Sequence, residues 1–135
     1  MAKARILVIE DEAFIAANIE SILEKNGYQC VGLCRDTATA ETFLRAATLD
    51  AVLMDVIIHD QTSFEFCGLL AALNIPFGFV TGIPQDAIRD EWQDRPFCPK
   101  PFSDDDIVRL VEQLLHQSAG ASANAAKTEF LSKAD

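Results

Sequence analysis

The stretch Ala51-Val52-Leu53-Met54-Asp55 decides the fold, because a short apolar run ends abruptly in a single carboxylate. Three more apolar runs are each followed by polar or charged residues. They are 6–9 before Glu10-Asp11-Glu12, 76–80 before Thr81-Gly82, and 95–99 before Lys100-Pro101-Phe102. If the runs are parallel strands, their carboxyl ends lie at one edge of a sheet, which is where open α/β sheets bind ligands. We therefore expect carboxylates, a hydroxyl and an amine to share one crevice.

The segments between the runs have the spacing of helices. Ile15, Ile19 and Ile22 recur at i, i+4 and i+7, which is typical of a helix with one buried face. With a further strand over 28–34, five strands alternate with five helical segments. This alternation predicts an α/β fold, a doubly wound parallel sheet with helices on both faces. The fourth helical segment has few apolar residues, so only a short helix around 85–92 is expected.

Three helix starts are predicted from residues that can cap a helix. Thr37, Ser63 and Ser103 each precede a helical pattern, and a hydroxyl at this position can accept a hydrogen bond from a free N–H of the first turn. Asp106 follows Ser103 by three residues, which approximates a capping box. We expect helices to begin at these three points.

The composition of the chain excludes two classes of partner. The 135 residues are 50% apolar, which is enough for one domain with a buried core. Eleven basic and 21 acidic residues give a net charge of −10, which opposes nucleic acid and anionic membrane surfaces. The apolar run 6–9 is too short for a signal peptide or a membrane span. We expect a cytoplasmic protein with no nucleic-acid or membrane partner.

The cysteines do not form a metal-binding motif. Four are present, none with the C-x-x-C spacing of zinc sites, and each lies among apolar residues. We interpret them as reduced, small buried side chains. They are Cys30, Cys34, Cys67 and Cys98.

The clustered carboxylates predict a divalent metal site. Glu10, Asp11 and Asp55 would repel one another in a shared crevice, and burying them unpaired is costly. A divalent cation removes this conflict, and hard oxygen ligands favour Mg²⁺. The main-chain carbonyl of Val56 could add to the ligand set. We therefore predict a Mg²⁺ site formed by these four residues.

Asp55 is the candidate nucleophile, because a carboxylate that faces a metal-bound phosphoryl group can form an aspartyl-phosphate. Phosphoryl transfer depends mainly on positioning and on charge neutralisation. The Lys100 ammonium can neutralise one phosphoryl oxygen, and the Thr81 hydroxyl with the Gly82 N–H can bind another. Asp55, Thr81 and Lys100 are thus the predicted catalytic set.

This order of motifs resembles the receiver domain of two-component response regulators, over residues 3–117. The resemblance implies a flavodoxin-like sheet of five parallel strands in the order 2-1-3-4-5, with Mg²⁺ as the cofactor. By resemblance, the site residues are the metal-binding pair Glu10 and Asp11, the phosphoacceptor Asp55, the switch residues Thr81 and Phe97, and the phosphate-sensing Lys100 before a cis Pro101.

Some positions set this chain apart from many members of the family. His59 and Ser63 stand where many members have Pro and Gly, which affects the loop after the phosphoacceptor. The stretch 76–82 resembles a subset of single-domain receivers with a poorly formed fourth helix. Ile57 and Ile83 match positions that influence a hydrolytic water, and neither side chain can hydrogen-bond water. The resemblance therefore implies slow autodephosphorylation.

The resemblance implies a stand-alone phosphoacceptor switch rather than a metabolic enzyme. It would take a phosphoryl group from a sensor histidine kinase or a histidine phosphotransfer protein and then bind a downstream protein partner, or drain a kinase as a phosphate sink. Residues 118–135 are expected to form a flexible tail without an output domain. The alternative is a Mg²⁺-dependent phosphohydrolase that works through an aspartyl-phosphate intermediate. Such an enzyme would need a second acid to protonate the leaving group, and Ile57 occupies that position here. A third is a receiver-like scaffold that never accepts phosphate.

Overall fold

Five short strands form one parallel sheet in a computed structural model, which describes residues 3–118. The strands are β1 (Arg5–Ile9), β2 (Gln29–Cys34), β3 (Ala51–Met54), β6 (Phe77–Thr81) and β7 (Phe97–Pro99), and a separate hairpin consists of β4 (Ile57–Ile58) and β5 (Gln61–Thr62). Their order in the sheet is β2-β1-β3-β6-β7, with every neighbouring pair parallel. The predicted flavodoxin-like order is confirmed.

Helices cover both faces of the sheet. They are α1 (Ala13–Lys25), α2 (Thr37–Ala46), α3 (Phe64–Ala72) and α4 (Asp104–Ser118). On one face, Ile19 of α1 and Ile107 of α4 join a buried cluster with Leu53 of the sheet. On the other face, α2 and α3 pack over a cluster that contains Phe77 and Phe79. Strands covered on both sides are apolar throughout, which explains the continuous apolar runs in the sequence.

The fourth helical segment contains no α-helix. Two 3₁₀ turns, Gln85–Ala87 and Asp90–Trp92, take its place, which confirms the expected poorly formed helix. Ile88 lies buried between the turns, and the Gln93 side chain donates a hydrogen bond of 2.6 Å to the Ile88 carbonyl. Trp92 packs edge-on against Phe77, with 5.7 Å between the ring centroids. This segment is therefore anchored by a few specific contacts rather than by a helical stripe.

The three predicted helix starts are confirmed, but the predicted capping side chain is correct only at Ser103. Ser103 and Asp106 form the reciprocal capping box, with bonds of 3.2 and 2.9 Å. The cap of α2 is Asp36, not Thr37, because the Asp36 carboxylate accepts from the Thr39 N–H at 2.7 Å. Ser63 occupies the N-cap position of α3, but its side chain makes no cap hydrogen bond.

The β4–β5 hairpin was not predicted. His59 and Asp60 form its turn with φ angles of 52° and 62°, so both central residues are left-handed. This is the geometry of tight hairpin turns, which usually contain Asn or Gly. The hairpin places two residues of unusual backbone conformation in the loop that follows Asp55, at positions 59 and 60.

Helix α4 covers the predicted domain boundary and reaches the last described residue. The helix runs through Ser118, one residue beyond the predicted end of the domain at 117. The rest of the predicted flexible tail, 119–135, lies outside the described residues. Within residues 3–118, no helix is long and apolar enough to cross a membrane.

Candidate functional site

The predicted site residues meet at the carboxyl edge of the sheet. Glu10 follows β1, Asp55 follows β3, Thr81 ends β6 and Lys100 follows β7. These four strands are consecutive neighbours in the sheet, so their ends lie side by side. The site is therefore a direct consequence of strand order.

Lys100 links two of the carboxylates. Its Nζ donates to Glu10 Oε1 at 2.6 Å and to Asp55 Oδ2 at 2.7 Å. Its backbone N–H donates to the Thr81 carbonyl at 2.9 Å, and the following peptide bond to Pro101 is cis, as expected. Burial alone would lower the pKa of Lys100, but the hydrogen bonds to Asp55 and Glu10 outweigh it and raise the pKa. The amine is therefore held in its charged form.

Three carboxylates form a compact cluster. One oxygen from each of Glu10, Asp11 and Asp55 lies within 4.8 Å of the others. Glu10 is only 2% exposed, and its burial raises its pKa despite the bond from Lys100. Asp11 is more exposed, and the backbone N–H of His59, which donates to it at 3.0 Å, lowers its pKa. The cluster thus contains one buried and one better-solvated acid beside Asp55.

The donor set of this cluster fits Mg²⁺. Hard carboxylate oxygens are what this ion prefers, and partial exposure of Asp11 leaves room for the waters it usually keeps. The Val56 carbonyl, the fourth predicted ligand, already accepts a hydrogen bond of 2.8 Å from the Ser63 N–H. Only its remaining lone pair could bind a metal, so its role stays a prediction.

The two predicted switch residues lie on neighbouring strands. The Thr81 side-chain oxygen accepts from the Ile83 N–H at 3.2 Å, and Thr81 is buried. Phe97 is half-buried and pairs with Phe79 across the β6–β7 ladder, where it packs against the apolar cluster under α2 and α3. Phe97 thus lies on β7, three residues before Lys100, and it is not one of the clustered polar groups.

Two contributors to the site were missed in the sequence. The His59 N–H reaches Asp11 from the tip of the hairpin, and the Ser63 hydroxyl donates to the Asp55 carbonyl at 2.8 Å. The first involves only the backbone, so side-chain identity gave no signal. For the second, the signal was a serine at a helix start, which was read as a cap.

A comparison with protein families identifies this architecture. Residues 6–112 match the family model of the response regulator receiver domain. The chain belongs to this family. Receiver domains act as phosphoacceptor switches in two-component systems. The site does not favour the alternative phosphohydrolase, because Ile57 occupies the position where that enzyme would require an acidic residue.

Individual relatives agree with this assignment. SdrG from Sphingomonas melonis Fr1 is 33% identical, with a TM-score of 0.75 over 85% of this chain and 99% of that one. A BeF3-activated conformation of SdrG superposes with a TM-score of 0.73. PhyR from Brucella abortus is 27% identical, with a TM-score of 0.76 over 92% of this chain and 52% of PhyR.

A curated relative shows the same partial match. The transcriptional regulatory protein YvrH from Bacillus subtilis is 29% identical, over 95% of this receiver and 57% of YvrH. The chain spans little more than half the length of the first curated relatives it matches.

Proposed function

We propose that Asp55 of this receiver domain accepts a phosphoryl group and that the change is passed on through protein contact. An Asp55 carboxylate oxygen would form the new bond to phosphorus as the bond to the donor's histidine nitrogen breaks. The observation that carries this proposal is the position of Lys100 Nζ, 2.7 Å from Asp55 Oδ2. A cation already at that distance can neutralise a developing phosphoryl charge with little reorganisation.

Glu10, Asp11 and Asp55 would hold the Mg²⁺ on which this reaction depends, with the Val56 carbonyl as a further ligand. When bound, the ion neutralises charge on the phosphoryl oxygens. Lys100 then needs only to exchange its contact with Glu10 for a phosphoryl oxygen, because its Nζ already contacts both carboxylates. The Thr81 hydroxyl would move toward another phosphoryl oxygen. This movement would break its hydrogen bond from the Ile83 N–H.

The donor would be a sensor histidine kinase or a histidine phosphotransfer protein. Such a donor must bring its phosphohistidine to Asp55 and must therefore cover the residues around the carboxyl edge. Phe14, on the first turn of α1 and three residues after Asp11, is 88% exposed. An aromatic side chain so exposed beside the site suits an apolar contact with that donor.

The expected cytoplasmic location stays a prediction.

The phosphorylated state would act as a switch for a downstream protein. Thr81 and Phe97 lie on the neighbouring strands β6 and β7, so a shift of the Thr81 hydroxyl can be passed to Phe97 across one ladder. The 3₁₀ segment follows β6 directly and would follow the same shift. The surface around β7 and this segment would then change its affinity for the partner.

The proposed function is tested by incubation with acetyl phosphate and Mg²⁺, followed by intact mass spectrometry. We expect the mass of one added phosphoryl group, lost on hydroxylamine treatment. Asp55→Asn should fold and show no added mass, because the shape is kept while the nucleophile is removed. Equal labelling of this variant would place the acceptor elsewhere, and turnover of the donor without an adduct would favour a hydrolase.

A further inference from the structure

Ser63 makes two hydrogen bonds at the site. Its hydroxyl donates to the main-chain carbonyl of Asp55 at 2.8 Å, and its N–H donates to the carbonyl of Val56 at 2.8 Å. Ser63 is 1% exposed, so water does not compete for these bonds. A single residue therefore holds two consecutive carbonyls, beginning with that of the proposed phosphoacceptor.

The Ser63 hydroxyl serves the site instead of the helix. At an N-cap position a serine oxygen ordinarily accepts a bond from the first turn, and Ser63 makes no such bond to α3. The Asp55 backbone is instead bound on both sides, because its N–H donates to the Ile9 carbonyl at 3.2 Å. The peptide unit that carries the Asp55 side chain is thus fixed between β1 and the start of α3.

The β4–β5 hairpin, which lies between Asp55 and Ser63, contacts the acidic cluster through its tip. The His59 N–H donates to Asp11 Oδ2, while Ser63 closes the base of the β4–β5 hairpin through the Val56 carbonyl. Weakening the Ser63 contacts at the base of the hairpin would therefore affect the orientation of Asp55 and the position of the hairpin tip beside Asp11. Both are proposed Mg²⁺ ligands.

We infer that Ser63 is a positioning residue of the phosphoacceptor site, which orients the Asp55 backbone and the Val56 carbonyl for metal binding and phosphoryl transfer. This inference rests on the proposed function. Without the hydroxyl, the Asp55 carbonyl loses its buried partner and the Asp55–Val56 peptide gains freedom to rotate. Residues that orient metal ligands commonly change metal affinity when they are removed.

The test compares Ser63→Ala with Ile75→Val in the full chain. Ile75 is buried two residues before the start of β6, at the opposite edge of the sheet from Asp55, so this variant loses stability without touching the site. Mg²⁺ affinity is measured by NMR titration of the amide signals. The labelling rate is measured with acetyl phosphate, and thermal stability is recorded for each variant. We expect Ser63→Ala to bind Mg²⁺ about tenfold more weakly and to label more slowly. Ile75→Val should match the parent in both.

Three outcomes separate the possibilities. If Ser63→Ala is less stable but keeps the parent's Mg²⁺ affinity and labelling rate, Ser63 is only structural and the inference fails while the proposed function stands. If the parent binds Mg²⁺ in a Ser63-dependent way but is never labelled, the proposed function fails and the positioning role stands. If Ser63→Ala does not fold, Ser63→Cys keeps the side-chain size with a weaker donor, and unchanged Mg²⁺ affinity in that variant overturns the inference.

Discussion

At the scale of single residues, Lys100 explains how a buried acidic cluster is tolerated. Sequence reasoning assigned the relief of repulsion to a metal ion, whereas the Lys100 amine already contacts Glu10 and Asp55. A buried charge is costly unless it is paired and hydrogen-bonded, and these contacts meet both conditions. Lys100 is thus the counter-ion of the carboxylates before it can serve a phosphoryl group.

Asp11 should determine the Mg²⁺ affinity. It is the most solvated of the clustered acids, and its oxygens can reach an ion that keeps its waters. We expect Asp11→Ala to weaken Mg²⁺ binding at least about tenfold, since even residues that only orient a ligand have effects of this size. The control is Glu12→Ala, which removes an exposed acid from the same run but keeps the N–H that bonds Glu10. Equal Mg²⁺ affinity in both variants would show that Asp11 is not a ligand.

Ile57 and Ile83 should make the phosphorylated form long-lived. Both side chains are half-buried against the apolar cluster beside the site, and neither can orient a hydrolytic water. We expect Ile57→Asn combined with Ile83→Gln to speed decay of the Asp55 adduct about tenfold, because positioning a water contributes to rate. Decay is followed by intact mass after the donor is removed. Gln61→Ala, an exposed change in the same hairpin, serves as control, and equal lifetimes in all proteins would support the phosphate-sink role instead.

At the scale of secondary structure, α1 carries the proposed contact for a protein donor. Phe14 is almost fully exposed, so truncating it leaves the core intact. We expect Phe14→Ala to slow transfer from a phosphorylated histidine phosphotransfer protein about tenfold or more, as for an aromatic residue central to an interface. Labelling by acetyl phosphate should be unchanged, because a small donor needs no such surface. Asn18→Ala, exposed on the same helix, is the control, and equal slowing with both donors would indicate damage to the site itself.

Elements were predictable where apolar spacing determines them. The strands and the main helices follow from apolar runs and from the periodic spacing of residues such as Ile19, whereas the strand order was implied by the family resemblance; all agree with the structure. The hairpin was missed because His59 and Asp60 lack the Gly or Asn that marks a tight turn. The Ser63 bond was missed because a serine hydroxyl can satisfy either a helix N–H or a carbonyl, and only the tertiary position of Asp55 decides between them.

At the scale of the whole molecule, the burial of the four cysteines makes the stability of the fold depend on pH. Burial raises the pKa of Cys30, Cys34 and Cys98 to about 11 and that of Cys67 to about 12. The thiols of the unfolded chain ionise near pH 9, so between pH 9 and pH 11 the folded state binds more protons than the unfolded state. Stability must then fall as pH rises, and Lys100, whose pKa is also raised, adds to the fall at the upper end.

This linkage predicts alkaline unfolding that begins well below the pH at which the folded thiols ionise. Each thiol contributes up to about 1.4 kcal/mol per pH unit in this window, so a loss of several kcal/mol is expected by pH 10.5. Urea denaturation at pH 7.5, 9 and 10.5 measures it, and stability should be nearly constant up to pH 8. Cys98→Ala should show a shallower decline than the parent, because one proton fewer separates its folded and unfolded states. A parent whose urea midpoint is the same at pH 7.5 and pH 10.5 would contradict the burial of these thiols and, with it, the arrangement of apolar clusters on both faces of the sheet.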